Sequence, residues 1–387
     1  MKKLVLLGTG LGIVAGAVAL SALPRYAESR LNRVEHVPPY RVSKAAHGLH
    51  SSMTVVDLHA DTLLWGRNLN QRSKRGHVDI PRLIEGDVAI QAFTVVTKAP
   101  TSISIERTED KGDRVKYLAV AEGWPPSTWS SLLQRALYQA SVLQKAAARS
   151  DAKLTLIRSR SDLDAYLKRR QSDRNITAGF LGLEGAHALE GNPANVDRLF
   201  DAGFRMIAPT HFFDTDMSGS ASGVEKGGLT DKGREMIRRA EARHMLIDVA
   251  HASTKTIDDV TAMATAPVVV SHTGVRGTCN NPRNLADKQL KEIAATGGVI
   301  GIGYWKTATC GGDAQAIARA VRYTANVVGV EHVALGSDFD GAVTIPFDTT
   351  GVPLVTEALM KEGFTGDQIR LIMGGNAIRV LRQVLPE

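Results

Sequence analysis

Past residue 50 the chain alternates short, β-branched apolar runs with longer stretches whose apolar residues recur at helical spacing. The runs are TVVDL (54–58), VAIQAFTVV (88–96), TAGFLGL (177–183), FRMIAPT (204–210), MLIDVA (245–250), PVVVS (267–271), GVIGIG (298–303) and HVALGS (332–337). Between them, Asp231–Arg243, Thr254–Ala264 and Asp313–Val328 carry apolar residues three and four apart, the signature of amphipathic helices. Strand–helix alternation predicts an α/β fold with a parallel sheet, and eight such units predict a (β/α)8 TIM barrel. A doubly wound sheet is the competing architecture. The barrel is expected to fill 51–387 after a linker at 24–50, and 97–176 is too long for a plain connection. That stretch is expected to hold a helical excursion around Trp129 to Ala148.

The polar residues that close these runs change the picture. Val55–Leu58 leads into His59 and Asp61, two residues apart and therefore on one face of an extended chain. A single His-x-Asp is ordinarily a strand-to-loop turn. Here, however, the third run ends in Glu184, the fourth in His211, the fifth in His251, the sixth in His272 and the eighth in Asp338 and Asp340. In a TIM barrel all C-terminal strand ends converge on one mouth. Six of eight runs would thus deliver imidazole or carboxylate to one place, which chance placement does not explain. Imidazoles and carboxylates without a nearby thiolate suit Zn²⁺ or a similar divalent ion, and their number suits two ions sharing a bridging carboxylate and hydroxide. Such a pair lowers the pKa of water and polarises a carbonyl, so the expected reaction is metal-assisted hydrolysis of an amide or related bond, with a further carboxylate moving the proton.

Other polar residues fit blander roles. Asp340 is expected to support its loop, His187 to be structural or to reach the mouth, and His244 and His332 to be structural at strand beginnings. Asp248, within its strand, is a plausible partner for neighbouring ligands; Tyr304 and Trp305 are pocket wall or core.

Composition adds bounds. Apolar residues make up 43% of 387, ample for a large core, and the net charge of +7 is scattered without an aromatic-interleaved basic patch, so no nucleic-acid partner is expected. Met1-Lys2-Lys3 precedes the uncharged run Leu4–Leu23, an export signal by pattern. Its length also suits a membrane span with Gly8, Gly12 and Gly16 on one helix face, while Ala17–Ala19 offers a cleavage site, so 1–23 is expected to be a signal peptide or membrane anchor. The expected location is periplasm or cell envelope. The two cysteines, Cys279 and Cys310, can form a disulfide in that compartment or remain buried thiols.

HADT (59–62), GLEGAH (182–187), THFFD (210–214), DVAHAS (248–253), SHTGVRGTCNNPRN (271–284) and GSDFDG (336–341) together resemble the membrane (renal-type) dipeptidases, peptidase family M19 of the amidohydrolase superfamily. DIPRLIEGDVAIQAF (79–93) and GLTDKGREMIRR (228–239) agree, so the resemblance runs in order from about Thr54 to the C-terminus. It implies a metal-dependent hydrolase barrel holding two zinc ions. His59 and Asp61 would bind one ion, Glu184 would bridge, and His251 and His272 would bind the second. Asp338 resembles the proton-transferring aspartate, His211 the histidine that steadies the tetrahedral oxygen, and Arg283 the arginine that holds the substrate carboxylate. Cys279 and Cys310 fall where the family has a disulfide. The family also suggests a homodimer.

Two departures stand out: Ala60 where Asn is frequent, and GYWKTATC (303–310) in place of the family's tyrosine-containing loop, which leaves side-chain preference open. The implied activity is a zinc dipeptidase for dipeptides with a free C-terminal carboxylate, with a D-residue there an open question. The alternative keeps the site and changes the substrate to N-acyl amino acids, lactams or lactones. A binding protein with a vestigial metal site would be marked by a lost ligand, and none of the matched positions is lost.

Overall fold

A computed structural model describes residues 22–387. The expected signal or anchor at 1–23 therefore lies outside the described residues except for its last two. Among the described residues no helix is long and apolar enough to cross a membrane.

Each of the eight apolar runs contains a strand, and a ninth short strand joins them: β1 (Val55–Ala60), β2 (Val88–Val96), β3 (Leu154–Leu156), β4 (Thr177–Glu184), β5 (Phe204–Ile207), β6 (Leu246–Ile247), β7 (Val269–Thr273), β8 (Val299–Ile302) and β9 (Val333–Leu335). All pairings are parallel. One sheet has the order β1-β2-β4-β5-β6, with β3 beside the start of β4, and a second has the order β7-β8-β9. Isolated parallel bridges, Asp248↔Val269 and Ala60↔Phe339, link the sheets at both seams. Strand order follows chain order without the reversal that defines a doubly wound sheet.

The strands are buried almost throughout, with no alternation of apolar and polar, because helices cover one face and side chains fill the other. Val56, Ile90, Phe180, Met206, Leu246, Val269, Val299 and Ala334, one from each of eight strands, meet in a single buried cluster. Val380, Leu381 and Val384 of the C-terminal helix Asn376–Val384 close that cluster from one end. A second, larger cluster packs the outer helices on the strands. The helices start where hydroxyl or carboxylate side chains cap exposed N–H groups: Thr230 accepts from Gly233 N, Ser253 from Thr256 N and Asp313 from Ala316 N.

Between β2 and β4 lie helices Arg114–Ala121, Leu132–Ala148 and Arg160–Ser172. β3 was not foreseen, since three residues of LTL give no alternation to read. β6 keeps only two ladder residues of the six in its run, because the chain leaves the sheet to reach His251.

Candidate metal centre

Strand ends carry the chemistry. Asp61 follows β1 and its N–H donates to Phe339 O (2.9 Å), closing the β1–β9 seam beneath it. Glu184 is the last residue of β4, and Gly185 (φ 100°) turns the chain away immediately, a conformation a side chain would oppose. His211 and His251 each stand four residues past β5 and β6, while His272 lies inside β7 rather than beyond it. His251 (φ 61°) and Asp338 (φ 63°) occupy the left-handed region, a strained backbone that aims both side chains inward.

Four imidazole Nε2 atoms converge on one carboxylate oxygen. Glu184 Oε1 is 3.6 Å from His59, 3.5 Å from His211, 3.1 Å from His251 and 3.5 Å from His272. His59 Nε2 is also 3.5 Å from Asp61 Oδ1, and the Nε2 atoms of His251 and His272 are 3.0 Å apart. Asp338 shares a donor group with His59 and Asp61. Two donors bound to one ion at near-tetrahedral angles lie about 3.3 Å apart. The donor atoms of His59, Glu184 and His272, of Glu184, His211 and His251, and of His59, Asp61 and Asp338 lie within 4.8 Å of one another in each group, three overlapping sets each able to hold an ion. His211 stands as close to Glu184 as His272 does, so distance alone does not separate their roles.

Two of the donor atoms lack any other partner. His59 Nε2 and Glu184 Oε2 are buried without a hydrogen bond, a costly state unless a cation completes them. Burial holds His211, His251 and His272 well below the usual histidine range, so they are neutral and able to ligate. Burial pushes Glu184 up to about 7, with Asp61 adding to the shift, and pushes Asp338 well above the carboxylate range. His59 goes the other way: burial disfavours its charge, but Glu184 and Asp61 outweigh burial and hold a proton there. The buried carboxyls and His59 thus favour taking up protons, positive charge that a metal ion would supply to this donor set.

Around the ligands sits a layer that sequence reasoning missed. Ser271 Oγ is 3.0 Å from His59 Nδ1 and 2.9 Å from His272 Nδ1, so one hydroxyl can accept from both rings when their Nε2 atoms face a metal. Thr94 Oγ1 donates to Asp61 Oδ1 (2.6 Å). Asp248 Oδ1 accepts from the N–H groups of Ala250 and Ser271, fixing the backbone rather than touching a ligand ring. The available signal was a lone hydroxyl inside an apolar strand, as in AFTVV.

Arg283 is buried beside the cluster. Its guanidinium donates to His272 O (3.0 Å) and lies 5.7 Å from the Trp305 ring, and burial lowers its pKa. The disulfide Cys279–Cys310 ties its loop, after β7, to the segment after β8. Asp340 faces away from the cluster and accepts from Arg67 (2.5 Å), Thr62 (2.9 Å) and His77 N (2.6 Å), as loop support. His187 is half-buried outside the cluster, its two ring nitrogens buried and unpaired, and desolvation drives its pKa down to about 3. His332 Nδ1 binds Gly298 O at the start of β9, and His244 is exposed.

The cluster floors a cavity of ≈ 500 Å³ into which Asp61, Glu184, His211, His251, His272, Arg283 and Asp338 all open. Trp305 stands in its wall, while Tyr304 is buried in the core against Phe339 and Phe347.

Residues 43–385 match the family described as membrane dipeptidase (Peptidase family M19). The chain belongs to that family. It is a metallodipeptidase, a hydrolase, and metal dependence comes with the family as the donor clusters fit it. Among relatives, an uncharacterized protein in the pqqA 5' region of Klebsiella pneumoniae is 32% identical over 263 residues, covering 64% of this chain and 94% of that one. Dipeptidase tcpJ of Claviceps purpurea (strain 20.1) is 28% identical over 320 residues, 80% of this chain and 69% of that one. A solved metallo peptidase from Rhodobacter sphaeroides, liganded with a phosphinate mimic of the dipeptide L-Ala-D-Ala, superposes with a TM-score of 0.70 at 23% identity. That alignment covers 86% of this dipeptidase and 99% of its neighbour, and shows the shared fold.

Proposed function

We propose that this dipeptidase holds two zinc ions and hydrolyses dipeptides bearing a free C-terminal carboxylate, with a D-residue accepted there. The observation that carries it is the convergence of four Nε2 atoms on Glu184 Oε1 within 3.1–3.6 Å. His59 and Asp61 would hold one ion, His251 and His272 the other, and Glu184 would be shared between them. When bound, the ions supply a lowered water pKa and a polarised scissile carbonyl. Asp338, pushed up by burial, takes the water's proton at its carboxylate and hands it to the leaving nitrogen. His211 Nε2 donates to the oxygen that becomes negative, and Arg283 grips the substrate carboxylate. D-residue acceptance draws on the ligand named for the Rhodobacter neighbour.

The same reading closes the two sheets into one (β/α)8 barrel; the paired seams and the eight-strand inner cluster support it. Export to the periplasm or envelope, by 1–23 acting as signal or anchor, draws on Lys2, Lys3 and the apolar run, and on the disulfide. Homodimer formation is carried over from the family. N-acyl amino acids remain the second reading, favoured by the apolar cavity wall.

The test is metal content and hydrolysis of L,L and L,D dipeptides by protein lacking 1–23. Near two equivalents of zinc with cleavage supports the reading. Two metals without cleavage of any dipeptide moves the substrate to other acyl compounds, and no metal under zinc-replete conditions overturns the mechanism.

A further inference from the structure

The family match begins at residue 43, yet the substrate cavity is partly walled by residues before it. Residues 22–31 are helical, and Pro24, Glu28 and Asn32 are buried with Ala27 half-buried, a stripe at helical spacing that presses one face on the domain. Glu28 forms ion pairs with Arg67 (2.5 Å) and Arg75 (3.1 Å), and Arg67 in turn holds Asp340. Asn32 Oδ1 accepts from Ala342 N (2.8 Å). Val34 bridges Ile345, with Ile345 N donating to Arg33 O (3.0 Å) and Glu35 N to Ile345 O (2.9 Å). The helix is thereby clamped to the segments after β1 and β9, the strands that carry Asp61 and Asp338.

Clamped there, it contributes Ala27 and Leu31 to the cavity, next to Trp65, Ile103, Leu118 and Val343. Ile103 and Leu118 follow β2, whereas Arg283 follows β7. In the eight-strand order those strands are four positions apart, the far sides of the mouth. The cavity therefore has the buried cation Arg283 on one side and a mostly apolar wall, edged by the exposed Arg114, on the other, with the metal cluster between. A substrate held by its carboxylate at Arg283 lays whatever precedes the scissile bond into the apolar half. The volume, ≈ 500 Å³, is in the range that encloses drug-sized ligands rather than two alanines. Leu31 is 42% exposed at the lip, apolar surface that a bulky substrate would cover.

We propose that residues 22–36 are a specificity element: they complete an apolar chamber that selects substrates with a large hydrophobic group, an aliphatic or aromatic side chain or an acyl chain, on the N-terminal side of the scissile bond. The proposal rests on the reading of Arg283 as the carboxylate grip. Its test uses the full chain loaded with zinc and two readouts. Calorimetric affinity for N-acetyl-, N-butanoyl- and N-octanoyl-L-alanine should rise roughly tenfold or more along the series as methylenes are buried. The kcat/KM ratio of L-Phe-L-Ala to L-Ala-L-Ala should favour the bulky substrate. Ala27→Trp, which fills the chamber, and Leu31→Asp, which charges its lip, should each flatten the affinity series and cut the ratio by roughly tenfold. Should Ala27→Trp fail to fold, Leu31→Asp at its exposed position carries the test. A flat series in the wild type, or variants that keep its slope and ratio, overturns the chamber while dipeptide cleavage stands. A steep series with no dipeptide cleaved supports the chamber and overturns the dipeptidase reading instead.

Discussion

At the scale of single residues, the site separates groups that touch the reacting atoms from groups that hold them. Asp338 is the proton carrier in the proposed reaction, so Asp338→Asn should lower kcat by about 10²–10⁴ while zinc stays bound. Elemental analysis beside steady-state kinetics decides it, and loss of zinc in the variant would recast Asp338 as a ligand. His211→Asn asks the same of the histidine that distance leaves ambiguous: two retained equivalents of zinc with a fallen kcat place it on the substrate. Ser271 contacts both His59 and His272 through Nδ1. Ser271→Ala should weaken zinc roughly 10–100-fold, read by competition with a chelator; unchanged affinity would mean the rings need no such support. His59, Glu184 and His251 were legible because imidazole and carboxylate are rare at the ends of apolar runs. Ser271 and Thr94 were not, since hydroxyls are common in strands and only the fold shows which one meets a ligand.

Among the elements, legibility followed burial. β2 and β4 are long, buried at every residue and matched their runs almost to the residue, because a strand covered on both faces is mostly apolar. β6 and β9 shrink to two and three ladder residues since the loops after them are committed to the site, and loop geometry leaves no periodicity. The disulfide is an element-scale device. Cys279 and Cys310 are 31 residues apart, and closing a loop of that length removes denatured-state entropy corresponding to about 3–4 kcal/mol. Replacing both with serine should cost stability of that order and raise KM more than it lowers kcat, since Arg283 rides on the tethered loop while the ligands do not. Urea unfolding and dipeptide kinetics test both halves, and a kcat loss with KM unchanged would contradict the assignment of that loop to binding.

For the molecule as a whole, a buried charge network joins parts of the chain far apart in sequence: Glu28, Arg67, His77 and Asp340. Burial pushes the Asp340 carboxyl up, but Arg67, His77 and Arg82 together hold it below the usual carboxylate range. His77 Nδ1 accepts from Asp340 N (2.8 Å), and burial drives its pKa from 6.5 down to about 4. Between those values the unfolded chain binds more protons than the folded one, so His77 makes stability rise with pH, and about 3 kcal/mol is lost as pH falls from 6.5 to 4. Glu28 acts in the opposite sense. Burial raises it from 4.5 to about 7 against the pull of Arg67, so the folded state holds the extra proton and stability falls as pH rises through that window. The two partly cancel between 4.5 and 6.5, giving the wild type a flatter acid profile than either group alone dictates. His77→Gln keeps an acceptor for Asp340 N and removes the titration. In metal-stripped protein its unfolding free energy should fall less in acid than the wild type's, narrowing the gap by about 3 kcal/mol between pH 7 and pH 4. Glu28→Gln should steepen acid loss instead. Parallel profiles for wild type and His77→Gln would mean that His77 has the same pKa folded and unfolded and adds nothing to the acid dependence, leaving Glu28 as the titrating member of the network.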